Sequence, residues 1–535
     1  FKPDAALEAA QWVDKVRINP GNFADKKKFA VREYTDDQYD EELVRIEETF
    51  KPLLDICKQR GIAMRIGTNH GSLSDRIMNR YGDTPLGMVE SALEFARISR
   101  KYDYHNFVFS MKSSNPKVMI AAYRLLVARL DALDDEAMRN AKCEIANEAT
   151  SIPHSPFRIP NSPWNYPIHL GVTEAGDGED GRIKSAIGIG SLLHDGIGDT
   201  IRVSLTEDSI HEIPVARALI AQCEMRNAKC EISHSEFRIS NSPFEYSRRP
   251  TETILAGDVA VGGEETMRVV VRQKTFDQLA HKLDKLGDFQ PEIVLEQADV
   301  LEIDPRDTDS IHATNALPDA ALVTIPDACD LDVISAYRLL ASRLDSRHPI
   351  LLKDTFGGMR NAKCEIGNEN SAFPISNSEF LSSLLTAATN IGALLCDGIG
   401  DAVLIQGEEA PGQSLRLAYN TLQAAGARIF KTDYVACPSC GRTLFNLQST
   451  TARIKAVTAH LKGVRLAIMG CIVNGPGEMA DADFGYVGGA PGKVNLYVGK
   501  QPVKFNIPET EAVDRLIDLI REHGKWVDAP QPVPG

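Results

Sequence analysis

Short apolar, β-type runs alternate with longer amphipathic stretches through the first 210 residues. The pattern predicts strands over residues 13–18, 63–67, 107–111, 167–172 and 200–205. Helices are expected over roughly 38–60, 87–101, 116–131 and 184–195. Repeated strand–helix units of this length indicate a parallel sheet, and five in a row favour a barrel over an open sheet. A closed barrel of this kind needs eight such units, and the chain opens in a helix. The expectation is an α/β protein whose TIM-type (β/α) barrel, residues 1–215, lacks its first strands, these falling before Phe1.

A second unit, residues 216–425, repeats part of this plan. Ser335–Asp345 (SAYRLLASRLD) echoes Ala121–Asp131 (AAYRLLVARLD), and Ile391–Asp401 (IGALLCDGIGD) echoes Ile189–Asp199 (IGSLLHDGIGD). Two matches in one order predict a second, barrel-like middle domain. A shorter repeat, MRNAKCEI, recurs at 138–145, 225–232 and 359–366, each time followed by Ser/Asn/Pro/Phe-rich sequence. These stretches, near 138–163, 225–248 and 359–380, read as inserted surface loops. Residues 426–535 form the third expected unit, an α+β domain.

The chain has 43% hydrophobic and 25% charged residues, ordinary for a globular protein, and a net charge of −15. That balance argues against nucleic-acid or anionic-membrane partners, which need basic surface. No apolar run is long enough to span a bilayer. Ten cysteines without disulfide-scaffold spacing suggest a reducing compartment. The cytoplasm is expected, or the plastid stroma for a plant or alga.

Cations gather at the predicted strand ends. Arg17 and Asn19 close the first strand, Arg65 and Asn69 the second, Lys112 the third, and Arg202 with Ser204 the fifth. In a parallel barrel such ends converge on one mouth. Four cations there would repel one another unless a multiply charged anion, such as a diphosphate, lies between them. Glu174 is a carboxylate among them, suited to general acid/base work, to a substrate hydroxyl contact or to a structural ion pair. His169 reads as a buried, hydrogen-bonded histidine. Lys184 is either an anion contact at a helix start or a plain helix-terminal lysine.

Near the C-terminus, Cys437-Pro-Ser-Cys440 is followed by Gly470-Cys471-Ile-Val-Asn-Gly-Pro-Gly-Glu478. A zinc ribbon would bring a second CxxC, and the second element here has one cysteine. Three thiolates completed by a hard, labile carboxylate suit a [4Fe–4S] cluster with one exchangeable iron. A structural zinc with Glu478 as a surface acid is the competing reading.

Together, VRINPGN (16–22), RIGTNHGSL (65–73), HLGVTEAG (169–176), KSAIGIG (184–190), GDTIRVSL (198–205), CPSCGR (437–442) and GCIVNGPGE (470–478) resemble the 4-hydroxy-3-methylbut-2-enyl diphosphate synthase family of isoprenoid precursor synthesis. The likeness covers nearly the whole chain outside the inserts. The middle domain resembles the large form of that family, in which it lets barrel and cluster domain meet within one chain. The resemblance implies reductive ring opening of 2-C-methyl-D-erythritol 2,4-cyclodiphosphate with loss of water, electrons coming from ferredoxin or flavodoxin. It implies cluster ligands Cys437, Cys440, Cys471 and Glu478, catalytic roles for Glu174 and Glu478, and substrate contacts from Arg17, Asn19, Arg65, Asn69, Lys112, Arg202 and Ser204. A homodimer is left open. The rival readings are a barrel phosphosugar lyase or aldolase with structural zinc, and an inactive, disrupted relative.

Overall fold

Five parallel strands, Lys15–Ile18, Ala63–Asn69, Phe107–Lys112, His169–Leu170 and Thr200–Ile201, lie side by side in chain order. They belong to a computed structural model that describes residues 2–25, 33–148, 164–227, 246–357, 375–408, 410–438, 442–472, 475–479 and 481–528. Val16, Ile18, Met64, Ile66, Phe107 and Phe109 recur at every second position and are all buried, the period-two signature of a strand. The predicted strand at 200–205 pairs only at its first two residues. Local chemistry sets the helix ends. Thr35 and Gln38 form a capping box for Asp36–Arg60, and Gly61, at φ 66°, closes it.

The inserted repeat is not wholly loop. Helix Pro116–Glu148 runs through the first copy as far as 148, and Glu212–Asn227 carries into the second. MRNAKCEIANE lacks Gly and Pro and is rich in good helix formers, so a helix entering it propagates. Helix Ile375–Cys396 takes up the end of the third insert. Apart from residues 246–248, the remainder of all three lies outside the described residues.

In the second unit, Val300–Glu302, Leu322–Thr324, Leu351–Lys353, Ala402–Leu404, Arg268–Val271 and Ile293–Val294 form parallel pairs. Ala402–Leu404, late in the chain, pairs with the early strand Arg268–Val271, so the sheet curls back on itself. Equivalent positions follow from shared contacts. The Asp199 carboxylate accepts from Ile168 N at 2.7 Å, and Asp401 accepts from Ile350 N at 2.9 Å. Counting from these, Glu174 corresponds to Phe356 and Arg202 to Leu404, both buried and apolar in the second copy. The second unit therefore lacks these two charges of the first, and its strand-end Lys353 is paired with Glu302 and Asp327.

The two copies meet through their own repeats. Arg124 pairs with Asp195 and Asp397, each at 2.7 Å, and Arg338 pairs with Asp195 at 2.7 Å and Asp397 at 2.9 Å. Arg124 and Arg338 occupy the same place in the first repeat, Asp195 and Asp397 the same place in the second. Gly190 and Gly392 are likewise equivalent, and each leaves room for the other helix, against Thr389 and Ile187 respectively. One apolar core runs through both units, whereas the C-terminal unit has its own.

That C-terminal unit is a five-stranded sheet in the order Asp433–Ala436, Arg465–Met469, Phe484–Ala490, Lys493–Val498 and Gln501–Pro508. The first three strands are parallel and the last two antiparallel. Helix Glu509–Glu522 covers it with Ala512, Val513, Leu516, Leu519 and Ile520 buried. Among the described residues no helix is long and apolar enough to cross a membrane.

Candidate active site

The sheet ends of the first barrel face the sheet ends of the C-terminal domain. A parallel bridge joins Ala175 to Ala436, so Glu174 and Cys437 flank one inter-domain contact. Thr206 Oγ1 donates toward the carbonyls of Ala436 and Cys437, both at 3.2 Å. Lys184 reaches Asp433 at 2.9 Å, Lys431 pairs with Asp180 at 2.8 Å, and Lys455 pairs with Asp177. Lys184 lies in the last turn of Gly178–Ser185, buried and spent on this docking. The helix-start anion contact is thereby corrected, because its ammonium already has a carboxylate.

The closest approach is between the one-turn helices His70–Ser72 and Gly475–Glu478. A Cβ on Gly71 would overlap the backbone of Gly477 and Glu478, and one on Gly477 would overlap the carbonyl of Gly71. Neither glycine has a positive φ, so what each supplies is the missing side chain. The contact carries Glu478 into the barrel mouth, where the Asn69 amide donates to its Oε1 at 2.6 Å. Arg17 in turn donates to Asn69 Oδ1 at 2.8 Å and to Gly67 O at 3.1 Å. Asn19 Nδ2 donates to Ser72 Oγ at 2.7 Å.

Arg17, Arg65, Lys112 and Arg202 are brought together. Burial pushes Arg65 down to about 10, with Arg17 and Arg202 adding to the shift. Burial also pushes the Lys112 ammonium well below its ordinary value, helped by Arg65, Arg202 and Arg17. Arg17 is lowered by burial, against the pull of Glu478 and Glu174. Arg17 Nε and Arg65 Nε have no hydrogen-bond partner. Glycines make the space: a Cβ on Gly67 would lie 2.6 Å from Arg17 Nε, and one on Gly171 2.6 Å from Lys112 Nζ. Arg202 is exposed, and Ser204, two residues on, is buried. The half-buried Arg17 and Arg65 and the buried Lys112, with Arg202 at the rim, are complementary to a multiply charged anion.

Glu174 and Glu478 share a side-chain hydrogen bond. Burial raises both carboxyls, and Glu174 drives Glu478 further up. Thr173 Oγ1 also donates to Glu174. Glu174 has φ 49°, a left-handed conformation that costs a non-glycine residue roughly 1–3 kcal/mol and is met at functional sites. Glu174 thus faces a second carboxyl as well as the cations Lys112 and Arg17.

Cys437 and Cys471 follow the neighbouring strands Asp433–Ala436 and Arg465–Met469, both at their C-terminal ends. Gly470 N donates to Cys437 Sγ at 3.2 Å, a contact that favours thiolate. Cys440 lies outside the described residues. Cys437 and Cys471 are half-buried, form no disulfide and stand at adjacent strand ends, and thiolates with a carboxylate are a donor set that suits a metal centre. Among the described residues no group of three or more His, Cys, Asp or Glu is close enough to hold a metal ion.

His169 is 8% exposed, with Nδ1 2.8 Å from Thr200 Oγ1 and Nε2 unpartnered. Burial, then Lys112 and Arg65, pushes it down to about 3 from an ordinary 6.5. Between those values the unfolded chain binds a proton that the folded one refuses, so stability falls as pH drops from about 6.5 toward 3. His169→Gln should flatten that fall by up to about 1.4 kcal/mol per pH unit in urea denaturation between pH 6.5 and 4. An unchanged slope would refute the neutral-histidine reading.

Sequence reasoning missed Gly71, Gly477, Ser72, Thr173 and Thr206. The glycines stand inside RIGTNHGSL and GCIVNGPGE, and small residues beside candidate ligands were the available signal. Their use depends on a contact some four hundred positions apart in sequence.

Residues 1–217 match the family model described as the GcpE TIM-barrel domain, and residues 433–522 match the GcpE protein C-terminal domain. A protein of Akkermansia muciniphila named 4-hydroxy-3-methylbut-2-en-1-yl diphosphate synthase (flavodoxin) is 54% identical, over 99% of this chain and 83% of its own. One of Leptospira interrogans with the same name is 42% identical, over 99% and 85%. A chloroplastic protein of Oryza sativa subsp. japonica, named as the ferredoxin form, is 42% identical, over 99% and 77%.

Proposed function

This chain belongs to the GcpE family, and from that membership we propose that it is a 4-hydroxy-3-methylbut-2-enyl diphosphate synthase. Its substrate is then 2-C-methyl-D-erythritol 2,4-cyclodiphosphate, opened with two electrons and loss of one water. The relatives' names favour this over a zinc-bearing lyase or aldolase and over an inactive relative. The observation that carries the reading is the seam itself: a cation-lined mouth abuts the cysteine-bearing strand ends through Ala175–Ala436 and Asn69–Glu478.

In this reading Cys437, Cys440, Cys471 and Glu478 hold a [4Fe–4S] cluster, which supplies electrons one at a time when bound. Arg17, Arg65, Lys112 and Arg202 hold the diphosphate, and Asn19 and Ser204 complete the wall. Burial, then Arg65, Arg202 and Arg17, depress the Lys112 ammonium, and an arriving anion opposes that shift. Glu174, pressed against Glu478, keeps a proton at the mouth for the departing oxygen. The tight Gly71–Gly477 contact keeps bulk water from the seam.

The division 1–215, 216–425 and 426–535 follows, with a barrel-like middle domain as scaffold: its mouth carries Phe356 and Leu404 where the first carries Glu174 and Arg202. Ferredoxin or flavodoxin, as in the relatives' names, delivers the electrons. The test is anaerobic turnover of the cyclodiphosphate with either reduced donor. Formation of 4-hydroxy-3-methylbut-2-enyl diphosphate supports the assignment, and none from iron-loaded protein would refute it.

A further inference from the structure

Both polar atoms of the Asn69 side chain are engaged, one with each domain. Arginine only donates, so the Asn69 oxygen must be the group facing Arg17, which leaves its NH2 for Glu478. The orientation is forced at both ends. Asn69 is 5% exposed and Glu478 is 5% exposed, so neither bond is shared with solvent. Arg17 is itself pinned to Gly67 O at 3.1 Å. A continuous chain of donors thus runs from the second barrel strand through Arg17 and Asn69 to a carboxylate of another domain.

We propose that Asn69 is the positioning residue of Glu478, fixing its carboxylate at the domain seam. The inference rests on reading Glu478 as a cluster ligand. A metal-bound carboxylate keeps an oxygen lone pair free for an outer hydrogen bond, and such partners orient the ligand and tune the metal. Few other side chains meet both demands. Aspartate offers no donor, and serine is too short to span Arg17 and Glu478. The Arg17 end adds a coupling. In the proposed function Arg17 also holds the diphosphate with its remaining donors, so occupancy of the mouth reaches Glu478 through one guanidinium and one amide.

The experiment compares wild-type, Asn69→Ala and Asn69→Asp proteins, each loaded with iron and sulfide under anaerobic conditions. Three readouts are taken: the electron paramagnetic resonance spectrum of the reduced cluster without substrate, steady-state kinetics with the cyclodiphosphate, and thermal unfolding. Asn69→Asp keeps the shape and the acceptor for Arg17 while removing the donor to Glu478, so it stays informative if the alanine variant folds poorly. The proposal expects an altered spectrum in both variants, kcat lower by about 10–100-fold and KM little changed. A wild-type spectrum with raised KM overturns it in favour of a substrate contact. A wild-type spectrum and wild-type kinetics with a lower melting point overturn it in favour of a purely structural bond. Wild-type protein that assembles no cluster overturns both this inference and the functional reading beneath it. Failure of the Asn69 role alone leaves the wild-type spectrum and turnover intact.

Discussion

Gly477→Ala is expected to lower turnover by about 100-fold or more while leaving the separate domains folded. The added methyl group would overlap the carbonyl of Gly71. That atom is backbone, held in the buried helix His70–Ser72, and cannot rotate aside. Restoring ordinary van der Waals separation would move the two helices apart by roughly 1–2 Å. Glu478 is the next residue, so the shift breaks its 2.6 Å bond to Asn69 and withdraws it from Glu174. A displacement of about 1 Å at reacting groups is enough to cost about 100-fold. Gly71→Ala should behave alike, because the overlap is mutual. Circular dichroism should report unchanged secondary structure, since the C-terminal core stands apart from the barrel core. A Gly477→Ala enzyme that keeps half of wild-type turnover would show that the contact does not set the site.

The second large effect belongs to stability. Arg124→Ala should destabilise the first two domains by about 3–5 kcal/mol, the usual consequence of removing one partner from a buried charge network. Arg124 and Arg338 each bridge Asp195 and Asp397, and side-chain exposure across the four is at most 14%. Burial by itself would raise the Asp195 carboxyl, but Arg338 and Arg124 outweigh it and hold it well below the usual range. Without Arg124, two buried carboxylates face a single arginine. Replacing all four members by apolar residues of similar volume should recover much of the loss, because the desolvation cost disappears with the charges. Urea denaturation reads both. A loss under about 1 kcal/mol for Arg124→Ala would place the network among weak surface pairs.

These two predictions draw on different parts of what the sequence disclosed. The AYRLL and LLxDGIGD repeats were visible as letters, and they turned out to be the surfaces on which the two copies meet. Strand periodicity exposed the five strands of the first sheet, because alternate apolar positions are dictated by burial of one face. The inserts misled in part. Their polar composition suggested loop, while helix propensity carried Pro116–Glu148 and Glu212–Asn227 into them. At the site, the cations were legible because charge at a strand end is unusual. Their partners were not. Lys184 gave no sign that Asp433 awaited it, nor Asn69 that both ends of its amide were committed, since such pairings arise only when distant segments dock. The Gly71–Gly477 approach was hidden for the same reason: a glycine needed for closeness looks like one needed for flexibility.

The central claim is that this seam joins a diphosphate-binding mouth to an iron–sulfur cluster. Its most direct test is metal and sulfide analysis of protein purified without oxygen, on wild type and Cys471→Ala side by side. The account predicts brown wild-type protein with about four irons and matching sulfide per chain, and loss of both in the variant. Colourless protein with stoichiometric zinc and no sulfide would contradict it.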